Sequence, residues 1–243
     1  MTQLEVSHVD RVSVLTLKRP DHGNRLSQQM AEELTAALET ARRDPHVRAC
    51  VMTGHGEVFC LGGDYKGAGP SVSGRAEFGR ASVDLYRAMA ALGKPLVAAV
   101  NGNAHAGGFS LVAAADLAVM ADDATLGLPE AGNGLFPFLA LAVVRDALPK
   151  KVLFEIIYNA RLIGAPEACD LHLVNKSVAR DAVLEEAIRM AAAAGDYNPD
   201  IVMLGRDLYY EMRGLGPAEA IDKSRFALIA ALAAKDQENR PDV

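Results

Sequence analysis

Two rhythms of hydrophobic and polar positions run along this chain. Leu4 to Val6 and Val12 to Leu17 are short apolar runs around the polar stretch Ser7-His8-Val9-Asp10-Arg11, which predicts two strands and a turn. Behind Ser27 the spacing changes. Met30, Leu34, Ala37, Leu38 and Ala41 recur on one helical face, with Ser27 placed to cap it. Ala49 to Thr53 predicts a third strand, ended by Gly54-His55-Gly56. From Leu61 to Gly74 glycine is frequent and no hydrophobic period holds, so a long loop is expected there. Ala76 to Leu92 reads as helix, Leu96 to Val100 as strand, Asn101-Gly102 as a turn, and Gly107 to Ala115 as a helix apolar on most sides. Leu117 to Met120 and Ala124 to Leu128 predict two more strands about Asp122-Asp123.

After Pro129 the helical period prevails. Helices are expected over Phe138 to Leu148, Lys151 to Asn159, Pro166 to Leu171, Ala182 to Ala194, Asp200 to Arg213 and Pro217 to Lys235. Strands and helices alternate in the first half only, so the pattern predicts an α/β core, residues 1–190, and a helical C-terminal region, 191–243, within one globular unit. No repeat of fixed period and no low-complexity linker divides it. The small apolar residues of Ala227 to Ala234 offer surface to another subunit.

Composition narrows the partners. Half of the 243 residues are hydrophobic, enough for a sizeable core and too many for a disordered chain. Lys and Arg number 25 against 31 Asp and Glu, a net charge of -6, which argues against a nucleic-acid partner. A local cationic patch can still hold a small phosphorylated ligand. Cys50, Cys60 and Cys169 form no CxxC pair, two of them sit in apolar company, and the six histidines never pair at ligand spacing, so neither a disulfide framework nor a metal site is expected. The first residues lack a basic and an apolar signal region, and the longest apolar run, Leu135 to Val144, is about half of the ~20 residues that span a bilayer. A cytoplasmic protein with no membrane partner is expected.

Three segments could carry chemistry: Phe59-Cys60-Leu61-Gly62-Gly63-Asp64, the run from Asn101 to Gly108, and Leu128-Pro129-Glu130. In the first two an apolar strand runs into glycine, where backbone can approach a ligand closely. The second leads into a helix, so amides near Gly107 are among its unpaired N-terminal donors, and two such amides aimed at one point make an oxyanion hole. Tight turns and close helix packing are the plain alternative for both glycine pairs. Glu130 lies among Leu126, Leu128, Leu135, Phe136 and Phe138, a setting that raises a carboxyl pKa, although an exposed turn glutamate would read the same way. Ser110, His105 and Asp116 do not form a nucleophile elbow, and no dinucleotide or P-loop fingerprint is present.

Taken in order, these segments resemble the crotonase superfamily, the enoyl-CoA hydratase/isomerase family. The resemblance runs from Arg19-Pro20-Asp21 and Asn24-Arg25-Leu26 through the two glycine segments, Lys94-Pro95 and Asp116 to Leu126-Gly127-Leu128-Pro129-Glu130, Gly134-Leu135-Phe136-Pro137 and Leu162-Ile163-Gly164-Ala165-Pro166. It implies a crotonase-like spiral of ββα turns with a helical C-terminal trimerisation region, and a homotrimer or homohexamer. It also implies an acyl-CoA thioester as partner, with no cofactor beyond the coenzyme A of that substrate. By position the thioester oxygen would meet the amides of Leu61 and Gly107, and Glu130 would be the base. Arg25, Leu26, Gly62, Gly63, Asp64, Lys66, Gly108, Leu135 and Phe138 are the expected substrate contacts, with Arg25 and Lys66 as candidates for the phosphates, although either one alone also reads as a solvated surface cation.

Two departures bear on the reaction. The family's hydratases use a second glutamate where this chain has Ser110, a group that can orient water but is no strong base near neutral pH. The glycine-rich stretch after the family's Pro-Gly is replaced by Phe138-Leu139-Ala140-Leu141, which should make the acyl end apolar. One remaining carboxylate favours moving a proton, as in double-bond isomerisation, over hydration. A binding-only protein, a thioester hydrolase and a decarboxylase are the alternatives.

Overall fold

β1 (Leu4–Val9) and β2 (Val12–Leu17) pair antiparallel and turn at Asp10, which takes a positive φ of 50°. The computed structural model to which they belong describes residues 2–67 and 69–238; residue 68 of the expected loop and residues 239–243 of the expected helical region lie outside the described residues. α1 (Gln28–Arg43) follows, capped as expected by the Ser27 hydroxyl, which accepts from the Met30 amide at 3.1 Å.

From there the chain repeats one unit: a strand in a large sheet, a short strand in a small sheet, then a helix. β3 (Ala49–Gly54), β4 (Val58–Cys60) and α2 (Val72–Ala90) form the first turn. β5 (Leu96–Val100), β6 (Asn103–His105) and α3 (Gly107–Ala114) form the second. β7 (Leu117–Ala121) and β8 (Thr125–Gly127) begin the third, which continues through the 3-10 turn Pro129–Asn133 into α4 (Phe138–Val144). The units start at Ala49, Leu96 and Leu117, unequal intervals that leave no fixed period in the sequence.

The chain then runs through α5 (Lys150–Tyr158), β9 (Leu162–Gly164), α6 (Ala165–Asp170), β10 (Lys176–Val178) and α7 (Val183–Gly195). The large sheet has the order β1-β2-β3-β5-β7-β10 and is parallel from β2 onward; the small sheet has the order β4-β6-β8-β9, with only β9 antiparallel. β3 and β5 are buried at every position, as continuous apolar strands covered on both faces should be. The short strands β4, β6, β9 and β10 fall below the length at which an apolar period is visible. α2 starts earlier than expected because the Ser71 hydroxyl accepts from the Gly74 amide at 3.1 Å and caps it inside the predicted loop.

Cys50 and Cys60 are buried and Cys169 is half-buried. Burial pushes the Cys50 thiol up to about 12 and the Cys60 thiol to about 11, so both are inert packing groups. α7 packs on the large sheet and crosses the expected 190/191 boundary. α8 (Pro199–Glu211) is pinned by Arg206, which donates to Asp116 Oδ2 at 2.8 Å and to the Met89 and Ala90 carbonyls at 2.7 Å. α9 (Pro217–Glu238) packs against α8 and leaves Ile221, Phe226, Leu228, Ile229 and Leu232 more than half exposed. No helix among the described residues is long and apolar enough to cross a membrane.

Candidate active site

The segment after β4, the corner between β6 and α3, and the 3-10 turn after β8 meet at one place. Leu26 fixes the first of them. Its N–H donates to the Gly62 carbonyl at 2.8 Å and its carbonyl accepts from the Asp64 N–H at 2.7 Å, an isolated parallel bridge centred on Gly63. That pairing leaves the Gly63 N–H with no partner among the described residues.

Leu61 is different, and the expectation for it is corrected here. Its N–H donates to the Gly23 carbonyl at 2.9 Å, so the donor is committed to the fold and is not free for a thioester. Gly62, at φ 103°, breaks the alternation of an extended chain between the two residues, and the amide left free is that of Gly63. The Leu61 side chain packs against Gly23 and lines the outer cleft.

Gly107 presents a second free donor. It is the first residue of α3, and its N–H has no partner among the described residues. Ala106 before it holds φ 53° and ψ −120°, a conformation alanine rarely adopts and one that turns β6 sharply into the helix. A helix N-terminus adds a favourable field for developing negative charge.

Glu130 completes the hollow. It lies in the 3-10 turn, is 7% exposed, and one carboxylate oxygen, Oε2, is buried with no hydrogen-bond partner. Burial raises its pKa, opposed by a hydrogen bond from its own backbone amide. The exposed-turn alternative is thereby set aside. Gly63, Gly107 and Glu130 line one small inner pocket of about 30 Å³, whose remaining walls include Leu26, Phe78, Tyr86, Pro137, Leu139 and Ala140. The inner pocket is thus apolar on the α4 side.

Gly63, Tyr65 and Glu130 also line an outer cleft of about 710 Å³ beside the inner pocket. Arg25, Lys66 and His22 line that cleft, and a phosphorylated ligand entering it would meet their charge or donors. Arg25 also donates to the Leu61 carbonyl at 2.5 Å and so ties the cleft wall together. Leu135 lines the cleft as well. His105 lies there with its ring Nε2 2.8 Å from Thr125 Oγ1, and burial, aided by the Arg25 charge, lowers its pKa and keeps it neutral.

Several expected contacts have other duties. Asp64 lines the cleft, but its carboxylate bonds to Arg19 at 3.0 Å and accepts from the Gly67 amide at 3.1 Å. Burial alone would raise its pKa; those two bonds outweigh burial and the net direction is down. Gly62 and Gly108 line neither cavity: a Cβ on Gly108 would stand 2.0 Å from the Cys60 carbonyl oxygen, so that glycine serves close packing. Phe138 is 75% exposed and also lines neither cavity. It packs on Phe136 with ring centroids 5.7 Å apart.

Ser110 is fully buried in α3, and its hydroxyl donates to the Ala106 carbonyl at 3.3 Å. It does not line the inner pocket; Tyr86, which does, has Ser110 beside its hydroxyl. Burial raises the Tyr86 pKa, so the phenol stays neutral. Neither Tyr86 nor Tyr65 stood out in the sequence, because an isolated tyrosine on a helix or in a loop reads as packing. The one available signal was the spacing of Phe78, Ser82 and Tyr86, which places three pocket residues on one face of α2.

Comparison with known proteins follows the same line. A family model described as enoyl-CoA hydratase/isomerase matches residues 8–210. A relative from Thermus thermophilus, provisionally named an enoyl-CoA hydratase, is 36% identical over 220 residues, covering 89% of this chain and 86% of its own. The carnitinyl-CoA dehydratase of Escherichia coli K12 is 33% identical over 198 residues, covering 80% and 75%. The crystal structure of an enoyl-CoA hydratase from Mycobacterium smegmatis superposes with a TM-score of 0.90 at 29% identity, covering 99% of this chain and 98% of that one.

Proposed function

The chain belongs to the enoyl-CoA hydratase/isomerase family of the crotonase superfamily, and we propose that it adds water to a short 2-enoyl-CoA thioester, and removes it, through an enolate. The observation that carries this reading is the buried, unpartnered Oε2 of Glu130 in the pocket that holds the unpartnered amides of Gly63 and Gly107.

The thioester carbonyl accepts from both amides. Glu130 takes a proton from water, the oxygen adds to the β-carbon, and the electron pair moves onto the thioester oxygen as the enolate forms. The same carboxyl then returns its proton to the α-carbon. Each amide donor contributes on the order of 3 kcal/mol in a site closed to water. An inner pocket of about 30 Å³ supports a short acyl group.

The relatives' hydratase and dehydratase names support water chemistry over the isomerisation that a lone carboxylate favours. Isomerisation remains the second reading, because Glu130 is the one carboxylate lining the inner pocket among the described residues. In it Glu130 removes a γ- or α-proton and returns it at the other carbon. Saturated, 2-enoyl and 3-enoyl thioesters offered in turn decide between the two: a product heavier by one water supports hydration, and an isomer of unchanged mass supports the second.

The coenzyme A phosphates lie beside Arg25 and Lys66 in this reading, and no further cofactor takes part. The exposed apolar residues of α9 support assembly into a trimer, or two stacked trimers. The unpaired cysteines support a reducing, cytoplasmic setting.

A further inference from the structure

The inner pocket is about 30 Å³, room for roughly two water-sized spheres at 10–15 Å³ each. A water held in such a place needs at least two polar partners. The walls supplied by Leu26, Phe78, Pro137, Leu139 and Ala140 have no side-chain polar atom. Ser82 also lines the pocket, but its hydroxyl donates to the Phe78 carbonyl at 3.0 Å. The two amides are reserved for the thioester oxygen. What remains is Glu130 with the hydroxyls of Tyr65 and Tyr86. Tyr65 is 52% exposed, whereas Tyr86 lines the pocket with Glu130 from the more enclosed α2 side and has Ser110 beside its hydroxyl. Ser110 in turn donates to the Ala106 carbonyl, so its oxygen can accept from Tyr86 and the Tyr86 oxygen can accept from a water.

We propose that Tyr86 is the second catalytic group of this chain, accepting a hydrogen bond from the water that Glu130 deprotonates and holding it over the β-carbon. Ser110 is its positioning residue. Tyr86 gives up and gains no proton: one water proton goes to Glu130 and then to the α-carbon, and the other stays on the new hydroxyl, pointing at Tyr86 Oη. The second glutamate that Ser110 replaces is thus made good by a phenol reaching in from α2. The proposal rests on the hydration reading above.

The test compares two reactions of the same protein. One is hydration of a short 2-enoyl-CoA; the other is exchange of the α-proton of a saturated acyl-CoA with deuterated water, which needs Glu130 and the amides but no attacking water. Tyr86→Phe should lower the hydration kcat by about a hundredfold, with KM and α-proton exchange within about twofold of the parent. Ser110→Ala should fall between, and the double variant should be no slower than Tyr86→Phe. Hydration at the parent rate in Tyr86→Phe, or hydration and exchange falling together in both single variants, overturns the assignment. A parent protein that exchanges α-protons but hydrates no enoyl-CoA overturns the hydration reading itself, and the role of Tyr86 with it.

Discussion

A methyl group built on Gly107 would stand 3.4 Å from the amide nitrogen of Gly63, in ordinary contact and clear of any clash. The two free amides therefore lie close together, and in the proposed reaction the thioester oxygen sits between them. Gly107→Ala should fold, since Gly107 does not need a positive φ, and should gain up to about 1 kcal/mol from the stiffer residue. Its methyl would nevertheless fill the hole, and kcat/KM should fall by about a hundredfold or more. A thermal melt and a turnover assay on one sample check both halves.

The next residue should behave in the opposite way. A methyl on Gly108 would lie 2.0 Å from the Cys60 carbonyl oxygen, a contact backbone cannot relieve by rotating a side chain. Gly108→Ala should lose about 1–3 kcal/mol or more of stability in a denaturant titration, because α3 has to back away from β4. Two adjacent glycines that look alike in sequence are thus separated by what each one touches.

That contrast shows how far the sequence carried. The large-sheet strands and long helices were legible because each has an apolar period long enough to see; Val12 to Leu17 and the face Met30, Leu34, Leu38 are examples. The three-residue strands β4 and β6 were not, yet together with β8, which the run Ala124 to Leu128 did predict, they aim all three site segments. Glu130 and Gly107 were legible from apolar neighbours and a strand-to-helix junction. The choice between Leu61 and Gly63 was not, because it depends on which amide Gly23 captures and on the turn at Gly62, both tertiary facts. Tyr86 joins the site from α2 across a gap in sequence that no local pattern bridges.

The pH dependence follows from Glu130. Burial raises its pKa, and the base acts when deprotonated, so the acid limb of kcat/KM should lie above the usual carboxylate range. Stability has a definite sign as well. The folded chain binds this proton more readily than the unfolded one, so the contribution is favourable at low pH and is lost as pH rises through the folded value. Glu130→Gln should therefore melt higher than the parent at neutral pH, with the gap closing on acidification. Melts of both proteins across the acid range check this.

Asp64 should act on the site through the loop it braces. Its bonds to Arg19 and the Gly67 amide hold the segment that presents Gly63. Asp64→Asn should cost about 1–3 kcal/mol, raise KM for the thioester, and leave the acid limb of the pH profile in place.

The apolar side chains of α9 give a prediction about assembly. Ile229 is exposed in the single chain, and an aspartate there would put a charge into the proposed subunit contact. Ile229→Asp should sediment at a lower mass than the parent, toward a single chain, while the parent sediments as a trimer or hexamer.

The most direct measurement follows the α-proton itself. With a saturated acyl-CoA in deuterated water, the parent protein should incorporate deuterium at the α-carbon, and Glu130→Gln should incorporate none while binding the thioester with little change in affinity. Deuterium entering at the parent rate in Glu130→Gln would contradict a site in which this carboxylate carries the proton.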